Sequence, residues 1–202
     1  MIYLVRHGES EANIQNRFSG ITDVELSAKG RKQAAIAGNN VKPYKIDYAY
    51  SSPLKRANDT AKIICDVNNI DVNEIIIENS LIEVNFGLFE NMTWDEIREN
   101  HREESENWIS YKHRYKFPEG ESYDDIVNRI SSFVDKVPDS SLIVTHFGVI
   151  QSILLYLDIA DDNNLWDYMI KNCDIIVLDK NNGKIEKIIK NMSSERREES
   201  HQ

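Results

Sequence analysis

Five residues spread along the chain have the types needed to handle a phosphoryl group: Arg6, His7, Arg56, Glu83 and His146. His7 follows the apolar run Tyr3-Leu4-Val5, and His146 follows Leu142-Ile143-Val144-Thr145, so each imidazole stands at the end of a segment that reads as a buried strand. Arg6 adjoins His7. Arg56 falls in the first turn of an expected helix, where its charge opposes the helix dipole and an anion nearby would relieve the conflict. Guanidiniums hold phosphate through paired N–H donors, and two of them with two imidazoles form a basic cluster around a doubly charged anion.

Phosphoryl transfer asks for positioning and for neutralisation of charge on the equatorial oxygens, which such a cluster supplies. A neutral imidazole can also attack phosphorus, giving a phosphohistidine that divides one displacement into two. One ring nitrogen then attacks while the other keeps its proton and donates it to a fixed acceptor. The departing alkoxide needs a protonated acid. Glu83, in a loop after a strand and beside aromatic residues, is the best candidate if partial burial raises its pKa, and Glu90 is the competing acid. No carboxylate or cysteine stands at a zinc-ligand spacing from either histidine, so the expected chemistry uses no metal and no cofactor.

The elements that must position these groups alternate between strand and helix. After the first strand a loop is expected to about Asp23, then a helix capped by Ser27 and running to about Asn39. Tyr48-Ala49-Tyr50 predicts a strand and Ser52-Pro53 a helix start, with Leu54, Ala57, Ala61 and Ile64 on one face. Ile75-Ile76-Ile77 predicts a third strand. Thr93-Trp94-Asp95-Glu96 has capping-box spacing and opens a polar two-helix excursion to about Lys116. Ser122 starts a further helix with Ile126, Ile130, Phe133 and Val137 on its buried face, and an apolar helix is expected over 149–157. Two last strands, 173–178 and 184–189, flank an Asn181-Asn182-Gly183 turn. The pattern predicts an α/β fold: a three-layer α/β/α sandwich around a mostly parallel central sheet, with a small helical cap over about residues 84–120. One domain over 1–192 and a polar, disordered tail over 193–202 complete the expected organisation.

A formal net charge of −10 speaks against nucleic acid or an anionic membrane as partner and leaves a small phosphorylated metabolite meeting a local positive pocket. A homo-oligomer is compatible with the sequence. The first apolar run stops at Arg6, too short for a signal sequence, and no later stretch approaches membrane-spanning length. Cys65 and Cys173 lie in apolar stretches and read as two buried reduced thiols, which fits the cytoplasm. His101, His113 and His201 read as structural, and Lys112, Arg114 and Lys116 as a solvated face.

Leu4-Val5-Arg6-His7-Gly8-Glu9-Ser10 resembles the signature of the histidine phosphatase (phosphoglycerate-mutase-like) superfamily. Other family elements follow in order: Asn13, Phe18-Ser19-Gly20, Asp23, Leu26-Ser27-Ala28-Lys29-Gly30, Ser51-Ser52-Pro53-Leu54-Lys55-Arg56-Ala57 with Thr60-Ala61, Leu81-Ile82-Glu83-Val84-Asn85-Phe86-Gly87, and Val144-Thr145-His146. The resemblance spans roughly residues 1–178 and implies His7 as nucleophile and Glu83 as proton donor. By the same resemblance Arg6, Arg56 and His146 bind the phosphate, and Asn13, Ser19 and Gly20 border it. Phe147 stands where many members carry a small residue, which implies a bulkier pocket wall.

Within the superfamily, Phe86-Gly87-Leu88-Phe89-Glu90, the excursion around Trp108 and Pro118-Glu119-Gly120-Glu121-Ser122 resemble the alpha-ribazole phosphatases of cobalamin synthesis. The other functions in view are a broad-specificity small-molecule phosphatase, a phosphoglycerate mutase and a binding module without activity. Val84 and Asn85 after Glu83 disfavour the mutase, which needs basic residues there unless Lys112, Arg114 or Lys116 folds inward.

Overall fold

Strand β1 (Ile2–Arg6) turns Ile2 and Leu4 into one hydrophobic core and Tyr3 and Val5 into another, as the two-residue period of a strand requires. β4 (Ser141–Thr145) and β5 (Ile175–Asp179) divide their side chains the same way, so a single sheet separates two cores. The computed structural model describes residues 1–192, and the expected tail from Ser193 lies outside the described residues. With β2 (Tyr48–Ser51), β3 (Ile76–Ile77) and β6 (Lys184–Ile189) the sheet has the order β3-β2-β4-β1-β5-β6. β1 to β4 pair in parallel, while β5 runs antiparallel to both β1 and β6.

Helices α2 (Ala28–Val41) and α3 (Lys55–Val67) cover one face, where Ala34, Ala37, Ala57 and Ala61 permit close packing. α6 (Tyr123–Lys136) and α7 (Phe147–Tyr156) cover the other. The three-layer architecture is therefore as the sequence indicates. The excursion forms α4 (Trp94–Asn100) and α5 (Arg102–Tyr111), and Thr93 and Glu96 make the expected capping box. Ile97 joins the same core as α6 and α7, and Trp108 lies 4.8 Å from Phe117 and 5.0 Å from Phe18, ring centre to ring centre. The cap is thus fastened to the body by aromatic packing.

Several local expectations are corrected. A short helix, α1 (Glu11–Ile14), interrupts the expected loop, because Ser10 and Asn13 form a capping box with Asn in the place usual for Glu or Gln. α3 begins at Lys55, with Leu54 as its N-cap and no side-chain cap, while Ser52 Oγ lies 2.8 Å from Nε2 of His146 and accepts from the Leu54 amide at 3.4 Å. On α6 Val134 is fully buried, whereas Phe133 is partly exposed and packs edge-on against Tyr50. α7 starts at Phe147, with His146 itself as its N-cap. Cys173 takes a φ of +60° in a turn before β5, and of the expected 181–183 turn Gly183 has positive φ.

Candidate active site

The register of β1 and β4 brings the two histidines together. Arg6 pairs with Thr145, so His7 and His146 are each the next residue beyond the paired strand ends, and the amide of His7 donates to the Thr145 carbonyl at 2.9 Å. Their ring centres are 5.1 Å apart. On the far side of β4, Ser52 follows β2, and its Oγ lies 2.8 Å from Nε2 of His146. Three adjacent parallel strands therefore deliver His7, His146 and Ser52 to one rim.

His7 is buried, with Nδ1 only 2.7 Å from the carbonyl of Gly8. A carbonyl can only accept, so the proton sits on Nδ1 and the lone pair of a neutral ring sits on Nε2. Burial, reinforced by the charges of Arg56 and Arg6, holds the His7 pKa well below the ordinary 6.5, so the ring is neutral near pH 7. The backbone around it is fixed too: Thr60 Oγ1 accepts from the Gly8 amide at 3.0 Å and donates to the Arg56 carbonyl at 2.7 Å.

Arg56 is almost fully buried and donates to the carbonyls of Ser19, Gly20 and Thr22 at 2.7–2.9 Å. Three of the five guanidinium hydrogens are thereby used, which leaves two for another acceptor. Arg6 donates to the Ile170 carbonyl at 2.8 Å, and its guanidinium stands 5.3 Å from the centre of the Phe147 ring. Arg6 Nε and His146 Nδ1 are buried without a hydrogen-bond partner. A buried donor such as the Arg6 Nε–H is costly unless something accepts from it, and a bound anion would do so. His146 is held neutral, its pKa lowered chiefly by burial and then by Arg56.

Glu83 is buried with Oε1 accepting from its neighbour's amide, Val84, at 2.9 Å and Oε2 from the Gly148 amide at 3.3 Å. Burial raises its pKa despite these bonds and the nearby Arg56 and Arg6, which favours a carboxyl able to give up a proton. The segment carrying it is clamped from both sides. Thr145 Oγ1 donates to the Leu81 carbonyl at 2.8 Å, and Arg129 donates to the carbonyls of Ser80, Ile82 and Glu83 while paired with Glu121. Glu90 is differently placed. Its two oxygens accept from the amides of Gly20, Ile21, Thr22 and Phe86 and from the Thr22 hydroxyl, so it anchors the loop that supplies Arg56 with its carbonyl partners.

A cleft of about 370 Å³ opens beside these groups, lined by Arg6, His7, Asn13, Ser19, Glu83 and Phe147 among the residues expected from sequence. Arg56 and His146 are buried and are not among its lining residues, and neither is Gly20, whose amide is committed to Glu90 and whose carbonyl to Arg56. Phe147 lines the cleft, packs beneath Arg6 and stacks on Trp166 at 6.4 Å, so its ring also steadies a guanidinium. Arg17, Phe18, Phe86, Tyr123 and Met169 also line it, and Asn172 supports it; Phe18 and Phe86 lie in segments that carry the family resemblance, whereas no sequence signal places Arg17, Tyr123 or Met169 there. Arg17 is paired with Glu96, Arg114 with Asp162 and Lys116 with Asp125, so neither of the last two turns its charge into the cleft.

Cys65 and Cys173 are buried free thiols; burial pushes Cys65 up to about 11 and raises Cys173 as well, so neither offers a thiolate. Among the described residues no group of three or more His, Cys, Asp or Glu converges as a metal site, and no helix is long and apolar enough to cross a membrane.

Residues 2–191 match the model of the histidine phosphatase superfamily, branch 1, and the chain belongs to that family. It is accordingly an enzyme of the superfamily's phosphatase and mutase class. Phosphoserine phosphatase 1 of Hydrogenobacter thermophilus is 31% identical over 182 residues, covering 88% of this chain and 85% of that protein. A protein named probable phosphoglycerate mutase GpmB, from Escherichia coli, is 32% identical over 190 residues, covering 88% and 84%. The alpha-ribazole phosphatase of Shigella flexneri has the same fold, with a TM-score of 0.76 at 23% identity and coverage of 88% and 90%.

Proposed function

We propose that the chain hydrolyses phosphate monoesters of small metabolites by passing the phosphoryl group to Nε2 of His7 and then to water. One observation carries this reading. The 2.7 Å contact from Nδ1 to the Gly8 carbonyl leaves Nε2 as the free nitrogen of a neutral ring, in a site that also holds Arg6, Arg56 and Glu83. In the first step Nε2 forms a bond to phosphorus as the ester P–O bond breaks, and the leaving oxygen takes the proton of Glu83. In the second, the Glu83 carboxylate takes a proton from water, whose oxygen displaces Nε2 from phosphorus. Arg6, Arg56 and His146 supply donors to the phosphoryl oxygens throughout, with Asn13 and Ser19 at the edge of the anion.

For the leaving group, the lining supports a flat, weakly polar moiety such as the nucleoside of alpha-ribazole 5′-phosphate. Phe18, Phe86, Phe147, Met169 and Val84 border the cleft, and Glu83 is the one acid among its described lining residues. Phosphoserine is the second reading, favoured by the relative of that name and by Arg17 on the wall. Its ammonium group would find no carboxylate apart from Glu83, and Arg17 is already paired with Glu96. Return of the phosphoryl group to a phosphoglycerate would need a cation free to hold the carboxylate, and Arg17, besides Arg6 the one cation among the described lining residues of the cleft, is paired with Glu96.

The test is a hydrolysis panel containing alpha-ribazole 5′-phosphate, phosphoserine, phosphoglycerates, sugar phosphates and nucleotides, with acid-quenched labelling of the enzyme. Label on His7 and loss of turnover in His7→Ala are expected. Label on another residue overturns the mechanism, and phosphoserine outrunning every aromatic ester overturns the leaving-group reading.

A further inference from the structure

Asn172 lies outside every motif that marks the site, in the turn before β5, yet its side chain reaches two groups at the cleft. Its Nδ2 donates to the carbonyl of His7 at 3.0 Å and to Oδ1 of Asn13 at 3.1 Å. A primary amide carries two hydrogens on nitrogen, so both are engaged. Oδ1 of Asn13 accepts a second bond, from the Ser10 amide, at 3.1 Å. Both lone-pair directions of that oxygen are therefore taken up by the protein, and the NH₂ limb of the Asn13 amide is what remains for the cleft that Asn13 lines.

The turn that presents Asn172 is itself fixed. Asp174, buried, accepts from the Lys171 amide at 2.8 Å and the Asn191 amide at 2.8 Å, and the Cys173 amide donates to the Arg6 carbonyl at 2.9 Å. Asn172 is thus held by the same strand end that carries Arg6 and His7.

We propose that Asn172 is a positioning residue that fixes which end of the Asn13 amide faces the phosphoryl oxygens. The terminal torsion of an asparagine is soft and nearly two-fold, and turning it by half a circle exchanges a donor for an acceptor. With the donor inward, Asn13 adds a hydrogen bond to the anion; with the carbonyl inward, it repels the anion. Ser10 alone biases the amide the right way, and Asn172 supplies the second acceptor-seeking donor that locks it. The inference rests on the reading of this cleft as a phosphate site.

The test uses the full chain, an aryl phosphate substrate and orthovanadate as a competitive phosphate mimic. The variants are Asn172→Leu, Asn172→Asp, Asn13→Ala and the two doubles on the Asn13→Ala background. An aspartate at 172 draws the NH₂ of Asn13 towards itself and turns the carbonyl inward, so Asn172→Asp should raise KM and the vanadate inhibition constant about tenfold or more, with Asn172→Leu milder. The ratio of alkyl to aryl turnover should not move, because Glu83 is untouched. On the Asn13→Ala background either substitution at 172 should change the inhibition constant by less than about twofold, since there is no amide left to orient.

Single substitutions that leave the inhibition constant within about twofold of the parent overturn the proposal. So does persistence of more than half of the effect in the doubles, which would assign it to the added charge or to loosened packing. An Asn13→Ala variant that binds vanadate normally also overturns it, and does so independently of the His7 labelling that tests the reaction itself. If thermal melting shows that the aspartate variant does not fold, the Asn172→Leu comparison decides between the same two outcomes.

Discussion

The amide of Gly148 donates to Oε2 of Glu83 at 3.3 Å, and a β-carbon at position 148 would stand 2.7 Å from Oε1 of the same carboxyl group. Closeness of approach, and not backbone angle, therefore favours glycine here. In Gly148→Ala the carboxyl must shift by a few tenths of an ångström, and a misplaced acid assists poorly. Turnover of alkyl esters should fall about ten- to a hundredfold, with aryl esters, whose phenolate leaves readily, little changed. Glu83→Gln sets the limit of that pattern, with an alkyl loss of about a hundredfold or more. The measurement is single-turnover phosphorylation of the enzyme by matched alkyl and aryl phosphates. Equal losses on both in Glu83→Gln would remove Glu83 from the acid's role.

Glu90 offers the contrasting outcome. Its carboxylate holds the 20–22 loop by accepting from backbone amides, and that loop in turn presents its carbonyls to Arg56. Glu90→Gln replaces one acceptor oxygen by an NH₂ group facing N–H donors, which should free the loop and let Arg56 drift from the anion. KM for alkyl and aryl esters should rise together, about tenfold, with their ratio of turnover unchanged. A selective loss on alkyl esters would instead mark Glu90 as the acid.

The rim is legible in the sequence because its signals are local. An apolar run that stops at Arg6-His7, and another at His146, mark strand ends whichever strands they pair with. Ser27 and Thr93 announce their helices by cap chemistry that depends on neighbours three residues away. What the sequence hides depends on distance in the chain. Glu90 meets Gly20 across 70 residues and Asn172 meets Asn13 across 159, and no periodicity connects such pairs. Ser52 likewise meets His146 across 94 residues, a contact that no local pattern announces. α1 is hidden by a capping box that uses Asn13 in place of a glutamate or glutamine.

Acid should weaken the fold through the two histidines that the site keeps neutral. Burial and then the Arg56 charge hold His7 and His146 well below 6.5, whereas in the unfolded chain both titrate near that value. A depressed folded pKa contributes stability that is present above the unfolded value and lost as pH falls toward the folded one. Each ring therefore adds a slope of up to about 1.4 kcal/mol per pH unit below 6.5, destabilising as acid is added. Glu83 acts in the opposite sense: its raised folded pKa favours the fold below the ordinary 4.5 and loses that contribution as pH rises through the raised value. Urea unfolding of the parent between pH 7 and pH 5 should thus show a decline that His146→Gln reduces by about half of the histidine share and His7→Gln with His146→Gln removes. Carboxylates elsewhere titrate alike in all three proteins, so the difference in slope isolates the imidazoles. A double variant that loses stability with acid as steeply as the parent would mean that one or both rings are already protonated in the fold, and a protonated His7 could not attack phosphorus.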